Sequence, residues 1–190
     1  MNTARNIILL MVLAFGILAC SQNENSADSQ SINPEVVPTM MSTNVTTIIS
    51  DSGQTRYRIK APEWLMFEEA KQPHWVFPKG IIAEELDDKD FSTISSISCD
   101  SAYYDEPAQL WTLTGNVKVT NSDGDLILTN QMIWEQNNHV LYSDSFIHIY
   151  LDKKQEIIEG TGYRTNETFS TYEIKKVSAI FPVDESRFPN

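Results

Sequence analysis

The first side chain able to do chemistry is a thiol. Cys20 follows an unbroken apolar run from Ile7 to Ala19, with Arg5 in front of it. A spanning helix needs ~20 apolar residues, and a shorter run behind a positive charge has the form of a secretory signal. Ile17-Leu18-Ala19-Cys20 resembles the bacterial lipobox, in which cleavage leaves the cysteine acylated as the new N-terminus. The sequence therefore predicts a signal peptide over 1–19 and a lipid anchor on Cys20. The alternative is an uncleaved helical anchor. Acylation would leave Cys99 without an intramolecular partner, so no disulfide is expected, and Cys99 reads as a small buried hydrophobe.

Spacing argues against catalysis. His74, His139 and His148 are too far apart for a local metal signature. Asp123-x-Asp125 offers oxygens to calcium, but with Gly124 it makes a hairpin turn instead. Asp87-Asp88 and Glu68-Glu69 read as solvated loop charge rather than an acid/base pair. There is no Gly-x-Ser-x-Gly, no His-Glu-x-x-His and no phosphate loop. The expectation is a protein that is not an enzyme, with no cofactor and no metal. A net charge of −12 and a pI near 4.6 exclude the basic stripe that a nucleic-acid partner requires.

The elements that carry the remaining residues are strands. Residues 20–39 are polar and aperiodic and contain Pro34 and Pro38, a composition for a flexible tether. From Met40 the texture changes. Thr43–Ser50 is rich in Thr, Val and Ile; Thr55–Ala61 and Leu110–Val119 alternate apolar with polar. Asp123-Gly124, Asn137-Asn138 and Asp152-Lys153-Lys154 punctuate the strands that follow. Glu63–Ala70, next to Pro62 and Pro73, reads as a bent strand and loop. Many short strands at this spacing predict one all-β domain over 40–185.

A shift of 30 residues superposes the chain on itself. Tyr104 falls on Trp134, Asp105 on Glu135, Leu110 on Val140, Val117 on Ile147 and Val119 on Ile149. A fainter third copy puts Tyr163 on Ile133 and Asn166 on Gln136. Each unit reads strand–turn–strand, and one hairpin cannot bury its apolar face alone, so the hairpins should stack.

The residues also resemble a family. Ser50-Asp51-Ser52-Gly53, Arg56-Tyr57-Arg58-Ile59, Ala61-Pro62-Glu63-Trp64 and Pro73-His74-Trp75-Val76-Phe77-Pro78-Lys79-Gly80-Ile81 are similar to the opening of LptC, the lipopolysaccharide-export bridge protein. Asp100–Tyr104, Leu110–Val117 and Leu128-Thr129 are similar to the repeat that LptC shares with LptA. The resemblance covers about residues 40–182. It implies an antiparallel β-jellyroll, open as a groove for the acyl chains of lipopolysaccharide. It also implies docking on an inner-membrane ABC transporter and hand-over to an LptA-like roll. Many family members keep an uncleaved N-terminal helix; Cys20 suggests a lipid anchor here, in the inner membrane by preference.

Under that resemblance the inward row of such a groove is expected at Ile59, Trp111, Leu113, Val117, Val119, Leu128, Trp134, Ile147 and Ile149. Alternation alone looks the same for a filled roll and an open one. A one-residue slip would also invert every choice of face. Unpaired outer strands can extend a neighbour's sheet. The incoming edge is expected at Val45, Thr47 and Ile49, and the outgoing edge over Thr168–Lys175, with Phe169, Thr171 and Ile174. Lys175-Lys176 would alternatively guard that edge against pairing. The competing function is a structural envelope lipoprotein whose roll binds a protein partner without carrying lipid.

Overall fold

A computed structural model describes residues 33–51 and 54–182. Cys20, the apolar run before it and most of the expected tether lie outside them. The compact unit runs from Asn33. Residues 33–39 form a turn held to it by two bonds. The Thr39 amide donates to the Met66 carbonyl (2.7 Å) and the Lys71 amide to Glu35 Oε1 (2.8 Å).

Eleven strands follow: β1 (Met40–Asp51), β2 (Gln54–Phe67), β3 (His74–Phe77), β4 (Ile81–Leu86), β5 (Thr93–Cys99), β6 (Ser101–Asp105), β7 (Leu110–Thr120), β8 (Leu126–Glu135), β9 (Val140–Leu151), β10 (Glu156–Asn166) and β11 (Tyr172–Pro182). All belong to one antiparallel sheet. β3 and β4 lie end to end along β2, and β5 and β6 end to end along β7. The sheet is therefore a plain meander of lanes, each paired with its sequence neighbours. The all-β roll predicted from the alternation is the fold; Glu63–Phe67 is the end of β2, and residues 68–70 form the turn after it.

The 30-residue repeat has a backbone basis. Gln109, His139 and Phe169 all adopt left-handed φ, at 50°, 52° and 55°. Each donates its amide to the carbonyl three residues earlier, in Glu106, Gln136 and Asn166. Three like turns thus recur at one end of successive hairpins. At the other end Gly124 closes on Asn121 and Gln155 on Asp152 in the same manner.

Cross-strand pairing fixes which residues share a face. One row runs Thr47, Ile59, Ala83, Ile97, Val119, Ile127, Ile149, Ile158, Ile180 across the lanes from β1 to β11. A second runs Met66, Trp75, Tyr104, Trp111, Trp134, Leu141. In the centre of these rows Val119, Ile127 and Ile149 are at most 2% exposed. A flat single sheet cannot seal one face; this one does so by twisting and curling on itself.

The lanes are interrupted at one place. Between β3 and β4, and between β5 and β6, the chain steps past Gly80 and Asp100, opposite the left-handed Gly115 and Asn116 of β7. A Cβ on Gly80 would stand 2.0 Å from the Cys99 carbonyl oxygen. With φ at +77°, no other residue fits there without moving β5.

Candidate functional site

The inner face is the candidate site. Its central rows are aliphatic at one end and aromatic at the other. Of the nine residues expected on the groove, Trp111, Leu113, Val117, Val119, Ile147 and Ile149 lie in the buried cluster, Val117, Val119, Ile147 and Ile149 at 1% exposure or less. Trp134 packs against that cluster, stacked at 6.3 Å on Trp111. Ile59 is half-buried, nearer the β1 end of the same row as Val119.

Leu128 is a correction of face. It stands between Lys118 and His148 on the opposite side of the sheet, and its neighbours Ile127 and Thr129 point inward. Leu126-Ile127-Leu128 is apolar throughout, so alternation could not choose among them. The hairpin could: counting back from the turn centred on Asp123 opposes Val119 to Ile127, not to Leu128. Ile127 is an inward residue missed for want of that count; Met132, Leu141 and Tyr163 are inward too, Met132 beyond a register shift that no count from the turn foresees.

Exposure rises away from the centre of the rows. Ile180, in the same row as Ile149, is 61% exposed, and Val177, opposite Gly160 on β10, is 52% exposed. On the other flank Ile49 and Tyr57, directly paired, are each 45% exposed. The roll is sealed along its middle and bare along both margins. Among the described residues β1 pairs only with β2 and β11 only with β10, so both outer strands keep one free side.

Val45, Thr47 and Ile49 all lie on the free strand β1. At the other margin the expectation needs correcting. Phe169 and Thr171 belong to the turn before β11, where the left-handed Phe169 closes the hairpin, and only Ile174 lies on the edge strand. The Thr and Phe content of 168–171 has strand character, but the Asn166 side chain accepts bonds from the Ser170 and Thr171 amides and folds it into a turn.

Where the lanes are interrupted, a cavity of about 520 Å³ opens. Val45, Ala61, Ile81 and Cys99 give it an apolar floor, and Lys60, Lys79, Asp100 and Asn116 stand around it. Its lysines are already paired, Lys79 with Glu63 (2.6 Å) and Lys60 with Glu84 (3.0 Å). Burial raises the Cys99 thiol pKa, which keeps it protonated and unreactive.

On the outer face Arg58 donates to Glu84 (2.7 Å) beside Lys60. The Arg58 hydrogen bond, followed by that of Lys60, holds the Glu84 carboxyl at about 2. The folded form therefore binds this proton more weakly than the unfolded chain does. Its contribution is complete above the ordinary carboxylate range and disappears as pH falls from there toward 2. Glu84→Gln should lower stability by about 1 kcal/mol at pH 6, a figure reduced for solvent around the pair. Urea titrations of the two proteins should converge by about pH 2; a gap that stays constant with pH would contradict the assignment.

Polar groups are few inside. Thr129 Oγ1 lies 3.1 Å from Ser143 Oγ and donates to the Phe146 carbonyl (3.0 Å), where the β8–β9 register shifts. At the rim Trp134 Nε1–H donates to Glu167 Oε1 (2.7 Å), and Glu167 Oε2 meets His139 Nδ1 (2.8 Å). No group of three or more metal-binding side chains occurs among the described residues, and none of their helices is long and apolar enough to cross a membrane.

Compared with known families, residues 7–180 match the family described as lipopolysaccharide-assembly, LptC-related. No curated protein matches the chain.

Proposed function

The chain belongs to the LptC-related lipopolysaccharide-assembly family, and from that premise we propose that it carries the acyl chains of lipopolysaccharide along the open margins of its roll. Lipopolysaccharide transport is the family's role. The finer reading concerns which surfaces do the work. The supporting observation is the bare margins of the inner face: Ile49, Tyr57, Val177 and Ile180 point to the same side as the sealed core, yet are 45% to 61% exposed. Acyl chains laid there recover ~0.8 kcal/mol per buried CH₂. The two free outer strands support main-chain docking to the neighbouring proteins, an inner-membrane ABC transporter on one side and an LptA-like roll on the other. A lipid on Cys20, at the end of the apolar run that the family match takes in, would hold the roll at the inner membrane from the periplasmic side. The chain itself is proposed to have no enzymatic step.

One observation favours a second reading. Val117 and Ile147, in the middle of the inner face, are fully buried, which suits a filled structural module that binds a protein through its edges. A photo-crosslinking residue at Ile180 or Ile59, in cells making lipopolysaccharide, separates the two. Lipid adducts at these positions, and none from Tyr150 on the other face, are expected. Protein adducts alone would leave the structural module standing.

A further inference from the structure

Four exposed apolar side chains crowd the start of the roll. Val36 and Val37, in the turn before β1, are 68% and 48% exposed, and Met40 and Met41, which open β1, are 45% and 59% exposed. Backbone bonds fix this corner. The Val36 and Val37 amides both donate to the Asn33 carbonyl, and Thr39 and Glu35 tie the turn to Met66 and Lys71. A bare apolar cluster on a fixed backbone marks a surface that something covers. The chain in front of it says what. Whether a lipid on Cys20 or the apolar run itself stays in the membrane, the anchor ends by residue 20, and only residues 21–32 separate it from Asn33. Twelve residues span at most ~40 Å, whatever course they take. A linker that short gives about millimolar effective concentration. A contact too weak to recruit the roll from solution is therefore populated once the chain is anchored.

We propose that the corner formed by Val36, Val37, Met40 and Met41 rests on the surface of the bilayer that anchors the chain, with its side chains set among the lipid headgroups. The inference rests on the anchored reading above and is independent of any bound lipopolysaccharide. Charge says how the contact is made. The segment bonded to this turn exposes Glu68 and Glu69 beside Lys71. That excess of acid offers nothing to anionic headgroups, so the contact is one of apolar burial and not of electrostatic attraction. The contact also gives the roll a polarity. β1 leaves the membrane at Met40 and runs ~36 Å to Asp51. Most of its free edge then stands clear of the headgroups, open to a partner strand.

The test uses the full-length protein in vesicles of phosphatidylethanolamine and phosphatidylglycerol that carry a nitroxide on a fraction of the headgroups. A fluorescent non-natural residue replaces one side chain at a time. Ile48 is the control: at 58% it is as bare as Met41, but it lies ~23 Å further along β1. Emission from position 36 or 41 should be quenched about fivefold more strongly than from position 48, because a seated side chain lies at headgroup depth. Val36→Asp/Val37→Asp should bring the quenching at position 41 down to that at position 48. Both valines are exposed, so the melting temperature should stay close to wild type. High salt should leave the quenching unchanged or deepen it, since it screens the acids from the anionic headgroups. Equal quenching at positions 41 and 48, in protein that stays with the vesicles, would overturn this inference alone. So would quenching that high salt abolishes. In cells, a photo-crosslinking residue at position 36 should give phospholipid adducts; protein adducts alone would assign the corner to a protein and overturn the inference. Protein that washes off the vesicles would overturn the anchored reading with it.

Discussion

Ile149→Asp is expected to unfold the roll, while Ile180→Asp, in the same cross-strand row, leaves it folded and unable to hold acyl chains. Ile149 is 1% exposed between Ile127 and Ile158. A carboxylate there loses the packing of the isoleucine and is buried without a partner, at a penalty of more than ~4 kcal/mol. A single domain has only ~5–15 kcal/mol in hand. Ile180 is 61% exposed, so a charge there stays in water and the melting temperature should move by no more than a few degrees. Binding of a fatty acid or of lipopolysaccharide should fall more than tenfold, because the charge sits where the chain would lie. Thermal unfolding followed by circular dichroism, with a binding titration on the same samples, checks both halves. An Ile180→Asp protein that binds lipid normally would move the acyl surface away from this margin.

The second large effect is expected at the β11 edge. Adjacent residues of a strand send their N–H groups to opposite sides. Of Lys175→Pro and Lys176→Pro, one removes an amide from the β10–β11 ladder and the other removes one from the free side. Both side chains are exposed, so neither change disturbs the core. One variant should therefore melt well below wild type. The other should fold normally yet fail to support delivery of lipopolysaccharide to the cell surface, having lost the strand addition proposed to dock the next roll. Normal delivery by both folded variants would mean that these lysines guard an edge that is not used.

Much of this was legible in the residues. Trp111, Leu113, Val117 and Val119 alternate without interruption, so their common face could be read directly. The 30-residue shift was legible because each copy repeats a turn as well as a strand; Gln109, His139 and Phe169 are its structural signature. Leu128 was misplaced because three consecutive apolar residues carry no phase, and only the hairpin count supplies one. Phe169 and Thr171 were misplaced because local composition favours a strand where Asn166 builds a turn. Pro78-Lys79-Gly80 marks a turn in the step at Gly80 and Asp100, but not the close approach of Gly80 to the Cys99 carbonyl, a contact between separate strands. Nor could alternation reveal that the rows are sealed in the middle and bare at the margins. That follows from how far the sheet curls, which depends on twist summed over every lane.

The meander has a kinetic corollary. From β7 onward every strand pairs with the next in sequence, so the entropy of closing long loops is avoided there; only β2–β4, β3–β6 and β5–β7 close wider loops. Each newly formed hairpin offers a template for the next, so ordering can spread as a zipper from either terminus or from the repeated middle. Loss of the last hairpin would fray the array locally and leave the earlier turns in register.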